Sequence, residues 1–243
     1  MTIAENYREV LERMEQAAAR AGRPSTDITL IAVTKTWPVD VLLEAHAAGM
    51  RHFGENRTHE LAEKRPSLTI HLGADNGIIW HHIGTLQSRQ TQAVADYADV
   101  FHALDRLKIA RRLSNQLVEN GRTLATFLEV NISGEGSKSG INVSNWEDSA
   151  TQRTDLRKAV TEIAGLPGIH LTGLMTMAPW DVEEHMIRGV FQRTRQLAQW
   201  LQGEFPTEDF SQLSMGMTDD FEIAIEEGAT HIRVGRAIFG SRH

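Results

Sequence analysis

Eight short apolar runs alternate with amphipathic stretches along this chain, and that alternation leaves it few folds. The runs span residues 28–33, 51–54, 78–83, 100–104, 123–130, 170–175, 212–215 and 231–234. Apolar spacing between them predicts helices over 39–48, 86–97, 106–120, 156–164, 183–202 and 219–227. An opening helix is predicted over 3–21, with Val10, Leu11, Met14, Ala17 and Ala18 on one face and Gly22 and Pro24 ending it. Strands alternating with helices imply right-handed βαβ units and a parallel sheet. Eight strands in 243 residues predict the α/β class, as a single (β/α)8 TIM barrel with an extra N-terminal helix. A doubly wound open sheet is the alternative. No linker rich in Pro, Gly or Ser appears, so residues 1–243 read as a single domain. Polar stretches at 73–77 and 133–152 read as loops, the second over one barrel mouth.

Apolar residues make up 41% of the chain, as in a globular protein. The net charge of -7 argues against a nucleic-acid or membrane-surface partner. The absence of cysteine excludes disulfides and thiolate metal sites. The first residues do not read as a signal peptide, and no apolar run approaches a membrane span. A cytoplasmic protein is expected. Without a secretion signal, Asn56-Arg57-Thr58, Asn131-Ile132-Ser133 and Asn142-Val143-Ser144 match the glycosylation pattern by chance.

Barrels gather their chemistry at the C-terminal ends of the strands. The first run ends in Thr34-Lys35-Thr36, and an amine at the mouth of a parallel sheet can act as a nucleophile. The second ends in Gly54-Glu55-Asn56, the third gives His81-His82-Ile83-Gly84, the fourth His102 and Asp105, and the fifth Glu129 and Asn131. The seventh, Ser214-Met215-Gly216-Met217-Thr218, turns straight into the helix expected near Asp219, where Thr218 is placed as the N-cap. The eighth gives Arg233-Val234-Gly235-Arg236, and Gly235 permits close backbone approach. Phosphate sites recur on the loops after strands 7 and 8 of barrels. A phosphate there and an amine on the first strand suggest a phosphorylated aldehyde, and pyridoxal 5′-phosphate (PLP) carries both groups.

At these residues the sequence resembles the YggS/PROSC family of pyridoxal phosphate homeostasis proteins. The matching segments are Ala32-Val33-Thr34-Lys35, Phe53-Gly54-Glu55-Asn56, His82-Ile83-Gly84-Thr85-Leu86-Gln87-Ser88, Val130-Asn131, Gly173-Leu174-Met175-Thr176-Met177, Ser214-Met215-Gly216-Met217 and Ile232-Arg233-Val234-Gly235 with Ile238-Phe239-Gly240. They run in family order over nearly the whole chain. The resemblance implies a barrel like the N-terminal domain of alanine racemase. It implies Lys35 as the aldimine lysine, with Ser214, Thr218, Gly235 and Arg236 at the phosphate, the last through its backbone N–H. It also implies Arg233 facing the pyridine nitrogen and Asn56 beside the ring. A permanent cation at that nitrogen disfavours its protonation and weakens the ring as an electron sink.

The chain runs three residues past Gly240, which leaves no room for the racemases' second domain. Of its two tyrosines, neither Tyr7 nor Tyr97 is an obvious second base. The resemblance therefore implies a monomer that buffers PLP or delivers it to PLP-requiring apo-enzymes, affects amino- and keto-acid balance, and has little or no catalysis of its own. A true PLP enzyme such as a racemase is the alternative. A cofactor-free barrel using Lys35 as its amine is a third reading.

Some positions depart from the family. Thr218 stands where Ser is usual, His81-His82 where Phe is common, Arg89-Gln90 where Asn-Lys follows, and Asp75 to Gly77 form an unusual insertion. Eleven histidines raise the question of a metal, but adjacent His81 and His82 point to opposite faces of a strand, and His59-Glu60 lacks a second His at the spacing of a metal site. Satisfied or solvated histidines are expected. Gly134 to Gly140 lacks the Gly-Lys-Ser/Thr order of a nucleotide loop, and the resemblance makes it a loop over the mouth. The 183–202 helix reads as an outer barrel helix with Arg188, Arg193 and Arg195 on its solvated side.

Overall fold

The computed structural model describes residues 1–136 and 138–240. The elements run α1 (Ile3–Arg20), β1 (Thr29–Val33), α2 (Val39–Ala47), β2 (His52–Glu55), α3 (Thr58–Leu72), β3 (Ile79–His82), α4 (Thr91–Tyr97), β4 (Val100–Leu104) and α5 (Leu107–Glu119). They continue with β5 (Leu124–Asn131), β6 (Ile141–Asn142), α6 (Ala150–Ala164), β7 (Ile169–Met175), α7 (Glu184–Glu204), β8 (Gln212–Met217), α8 (Phe221–Glu226), β9 (His231–Val234) and α9 (Arg236–Phe239). The sheet order is β4-β3-β2-β1-β9-β8-β7-β5, and β4 also pairs with β5, so eight parallel strands close on themselves. The expected α/β barrel is the observed one. The two-residue β6 is additional and hangs on the end of β5 through Val130↔Ile141.

Register places the inward side chains. Gly54 pairs with His81, Phe127 with Gly173, and Ser214 with both Met175 and His231. Barrels usually fill this interior with branched aliphatics. Here much of it is imidazole. The His102 ring stacks on Phe127 at 4.4 Å between centroids, and His231 meets Phe127 edge-on at 5.1 Å. On the outer side Phe53 and Trp80 meet at 5.8 Å, and the buried leucines of α3, α5, α6 and α7 lie in the same core.

Helix α1 starts with a reciprocal cap in which Glu5 N–H donates to Thr2 Oγ1 and Thr2 N–H to Glu5. Its apolar face buries Val10, Met14, Ala17 and Ala18. Polar clasps fasten it to the end of the barrel. Asn6 donates to Ile238 O, Arg13 pairs with Glu222 and Arg20 with Glu226.

Helix α3 has no counterpart among the predicted helices. Its interior holds Pro66, which removes a backbone donor, and its face toward the sheet buries the polar Glu60 and Lys64. Neither feature reads as an amphipathic stripe. Arg188 and Arg193, expected in solvent, instead tie α7 to its neighbours. Arg188 pairs with Glu226 and Glu227, and Arg193 with Glu147.

Candidate functional site

Lys35 lies two residues beyond β1 in a turn, half-buried. The residues on either side of it are held from below. Lys64 of α3 donates from Nζ to Thr34 O at 2.9 Å, to Glu55 Oε1 at 2.8 Å and to Glu60 Oε2 at 2.6 Å. Thr36 has φ 71°, a left-handed conformation unusual for a β-branched residue, and its N–H donates to Glu60 Oε2 at 2.6 Å. All three charged side chains of this network are buried. Desolvation pushes the Glu55 carboxyl up to about 7 even with Lys64 beside it. The network was not singled out from the sequence, although Glu60 and Lys64 at i, i+4 on one face are a readable sign.

Asn56 follows β2 at the rim and is exposed. The loop after β3 presses against it so closely that a Cβ on Gly84 would fall 2.4 Å from Asn56 O. Only glycine fits there.

The floor of the mouth centres on Arg233, which is 5% exposed. Its guanidinium donates to Ser214 O at 2.8 Å, to Ser214 Oγ at 2.7 Å and to Thr176 O at 2.9 Å. Burial lowers it to about 10, with Asp220 and Glu129 pulling the other way, so it stays cationic at neutral pH. Glu129, at the end of β5, is raised to about 7 by burial and by Asp105, and one of its carboxylate oxygens has no hydrogen-bond partner among the described residues. The Asp105 carboxyl is likewise raised by burial and keeps an unpartnered oxygen.

The structure corrects one expectation about the β8 loop. Strand β8 runs on to Met217 and α8 begins only at Phe221, so Thr218 lies in the intervening turn and is not the helix cap. Asp220 closes that turn by accepting from the Met217 N–H. Ser214 lies four residues before Thr218, roughly 13 Å along a strand, wholly buried, with its hydroxyl between His102 and Arg233. Its side chain braces Arg233 at the floor of the mouth. Gly235 sits against Val33, where a Cβ would meet Val33 O at 3.4 Å. It precedes α9, whose first N–H groups point out of the helix. The Arg236 side chain turns away to pair with Asp219.

The loop after β5 reaches across the mouth. Asn131 Oδ1 accepts from Gly134 N–H, Lys138 donates to Met177 O, and Thr85 Oγ1 donates to Ser139 Oγ. It thus bridges the loops after β3 and β7. Among the described residues no group of His, Asp and Glu is arranged to hold a metal ion. His81 and His82 do face opposite ways, but the expectation that both would be satisfied or solvated fails for His82. It is wholly buried, and neither ring nitrogen makes a well-formed hydrogen bond among the described residues.

Comparison with known proteins identifies the family and the fold. The model of the alanine racemase N-terminal domain family matches residues 3–243. A pyridoxal phosphate homeostasis protein of Pseudomonas aeruginosa is 41% identical over 241 residues, covering 99% of this chain and 96% of that one. The chain belongs to the pyridoxal phosphate homeostasis protein family. Among solved structures of similar proteins, a protein from Bifidobacterium adolescentis superposes with a TM-score of 0.86 at 34% identity, over 98% of this chain and 94% of that one. PipY of Synechococcus elongatus, solved with PLP bound, superposes at 0.79 with 31% identity, over 98% of this chain and all of that one (100%). Within the pyridoxal phosphate homeostasis family fold, Lys35 follows β1, Arg233 lies on β9, and the turn that holds Thr218 follows β8.

Proposed function

We propose that this protein binds pyridoxal 5′-phosphate at the barrel mouth and serves in its homeostasis, buffering the cofactor or handing it to PLP-requiring apo-enzymes. The observation that carries this reading is Lys35, whose chain neighbours Thr34 and Thr36 are held by Lys64 and Glu60, on the same mouth as a buried cation and a glycine-lined loop end. The donor set fits the cofactor. Lys35 would hold the aldehyde covalently. Thr218, Gly235 and the Arg236 backbone N–H would take the phosphate, Arg233 would face the pyridine nitrogen and Asn56 would lie beside the ring. PipY, bound to PLP, and the relatives' family name support the same reading.

When bound, PLP supplies an electron-withdrawing ring. Arg233, cationic at neutral pH, disfavours a proton on the ring nitrogen and so weakens that withdrawal. The two tyrosines lie on the outer helices α1 and α4, so neither supplies a second base at the mouth. A cofactor-holding protein with weak or no turnover is the outcome these residues favour, acting as a monomer.

The test is incubation with PLP, reduction with borohydride and peptide mapping by mass spectrometry. Phosphopyridoxyl on Lys35, absent from Lys35→Ala, supports the anchor. An unmodified Lys35 under excess PLP rejects it. Rapid racemisation of an amino acid that is lost in Lys35→Ala would replace the homeostasis role with an enzymatic one.

A further inference from the structure

Three imidazoles and a hydroxyl cross the barrel interior in single file. His52 Nδ1 lies 2.9 Å from His81 Nε2, His81 Nδ1 lies 2.8 Å from His102 Nε2, and His102 Nδ1 lies 2.8 Å from Ser214 Oγ. The file ends on Arg233, which donates to the same Ser214 oxygen at 2.7 Å. Its members come from β2, β3, β4, β8 and β9, so only the closed barrel assembles it. His81, His102 and Ser214 are fully buried, whereas His52 opens partly to solvent at the N-terminal end of β2.

Arg233 gives the file a direction. A guanidinium only donates, so Ser214 Oγ accepts from it. A second lone pair remains on that oxygen, but the only acceptor that the Ser214 hydrogen has among the described residues is His102 Nδ1, and satisfying that buried donor assigns it there. His102 must carry its own proton on Nε2 and donate it to His81 Nδ1, and His81 donates in turn from Nε2 to His52 Nδ1. All three neutral rings share the Nε2–H tautomer. Burial keeps them neutral by lowering His52 and taking His81 and His102 well below the usual histidine range. The other groups facing the file are His82 of β3 and His231 and Arg233 of β9, which push the same way, and Glu129 and Asp220, which face Arg233 from β5 and the turn before α8.

We propose that His52, His81 and His102 are positioning residues for the cofactor site: their file orients the Ser214 hydroxyl that braces Arg233 and reports the protonation of His52 to that floor. The proposal rests on the reading of the mouth as the PLP site. Protonating His52 adds one proton to the file. Its Nδ1–H must then donate to His81, so the tautomers of His81 and His102 reverse. His102 becomes a donor to Ser214 Oγ beside Arg233, and the serine hydrogen loses its acceptor. Acid at one end of the barrel thus disturbs the floor at the other.

Long-range 1H–15N spectra of the protein at pH 7.5 read each tautomer directly. Nε2–H on all three rings supports the file, and Nδ1–H on His81 or His102 overturns it. PLP affinity measured from pH 5.5 to 8 supplies the second readout. The affinity of the parent should fall severalfold toward acid. His52→Gln keeps an acceptor for His81 but does not titrate, and should follow a flatter profile from the same alkaline value. Ser214→Ala cuts the file from Arg233 and should bind about tenfold more weakly at every pH, the worth of one hydrogen bond to a charged group. Superimposable pH profiles for the parent and His52→Gln overturn the proposal. If the parent takes no PLP at all, the reading of the mouth fails and the tautomer spectra alone decide the file.

Discussion

His82→Phe should stabilise the protein, and more so in acid. His82 is 0% exposed, neither ring nitrogen makes a well-formed hydrogen bond among the described residues, and the neighbouring Phe101 ring is centred 5.8 Å away. An unsatisfied buried polar group costs about 1–3 kcal/mol, which a phenyl ring would recover at any pH. The second part depends on pH. Burial lowers His82 from 6.5 to about 4, and a contact with the Gly84 backbone, too poor in geometry to count as a hydrogen bond, offsets little of it. The unfolded chain therefore binds a proton below pH 6.5 that the folded protein refuses until about pH 4, and stability drains away across that window. Linkage between those two values gives about 2 kcal/mol of loss from this residue at pH 5 and almost none at pH 7.5. Urea unfolding followed by far-UV circular dichroism at pH 7.5 and pH 5.0 measures both parts. The gain of the variant over the parent should be larger at pH 5.0 by about 2 kcal/mol. Overpacking by the larger ring would lower both values equally and leave that difference intact. A gain that does not change with pH would refute the reasoning.

Three further outcomes follow from the same geometry. Lys64→Met leaves the Glu55 and Glu60 carboxylates buried without their cation; it should cost about 3–5 kcal/mol in urea unfolding and slow borohydride capture of PLP at Lys35. Gly216→Ala places a Cβ 2.6 Å from the Ala224 Cβ at φ +94°; it should lower the melting temperature and weaken PLP binding, because the β8 turn must shift. Glu129 is raised from 4.5 to about 7, so the folded state holds its proton where the unfolded chain has lost it, and the group costs stability as pH rises through that range. Glu129→Gln should therefore gain up to about 3 kcal/mol at pH 8 in chemical unfolding, a gain that vanishes near pH 4.5.

The barrel was legible because its strands are short, apolar and regularly spaced, and the register then carried Lys35, Asn56, Arg233 and Gly235 to one mouth. What stayed hidden depended on partners far apart in the chain. Ser214 reads as part of a phosphate turn until the closed sheet puts His102 and Arg233 on either side of its hydroxyl. Helix α3 escaped notice because its inner face holds Glu60 and Lys64 beside Leu61 and Leu68, an arrangement explained by Glu55 and the Thr34–Thr36 backbone that the pair binds. The histidine file was similarly invisible, since one member from each of three strands leaves no local pattern.

The clasp of α1 on the last elements of the barrel sets an order of events during synthesis. Asn6 waits for Ile238, a partner 232 positions later. At about 5–20 residues per second, that wait lasts on the order of 10–50 seconds. Throughout it, the stripe of Val10, Met14, Ala17 and Ala18 lacks the surface that finally covers it. The nascent chain thus presents an amphipathic helix to whatever meets it at the ribosome, and closure of the barrel is also the moment at which that exposure ends.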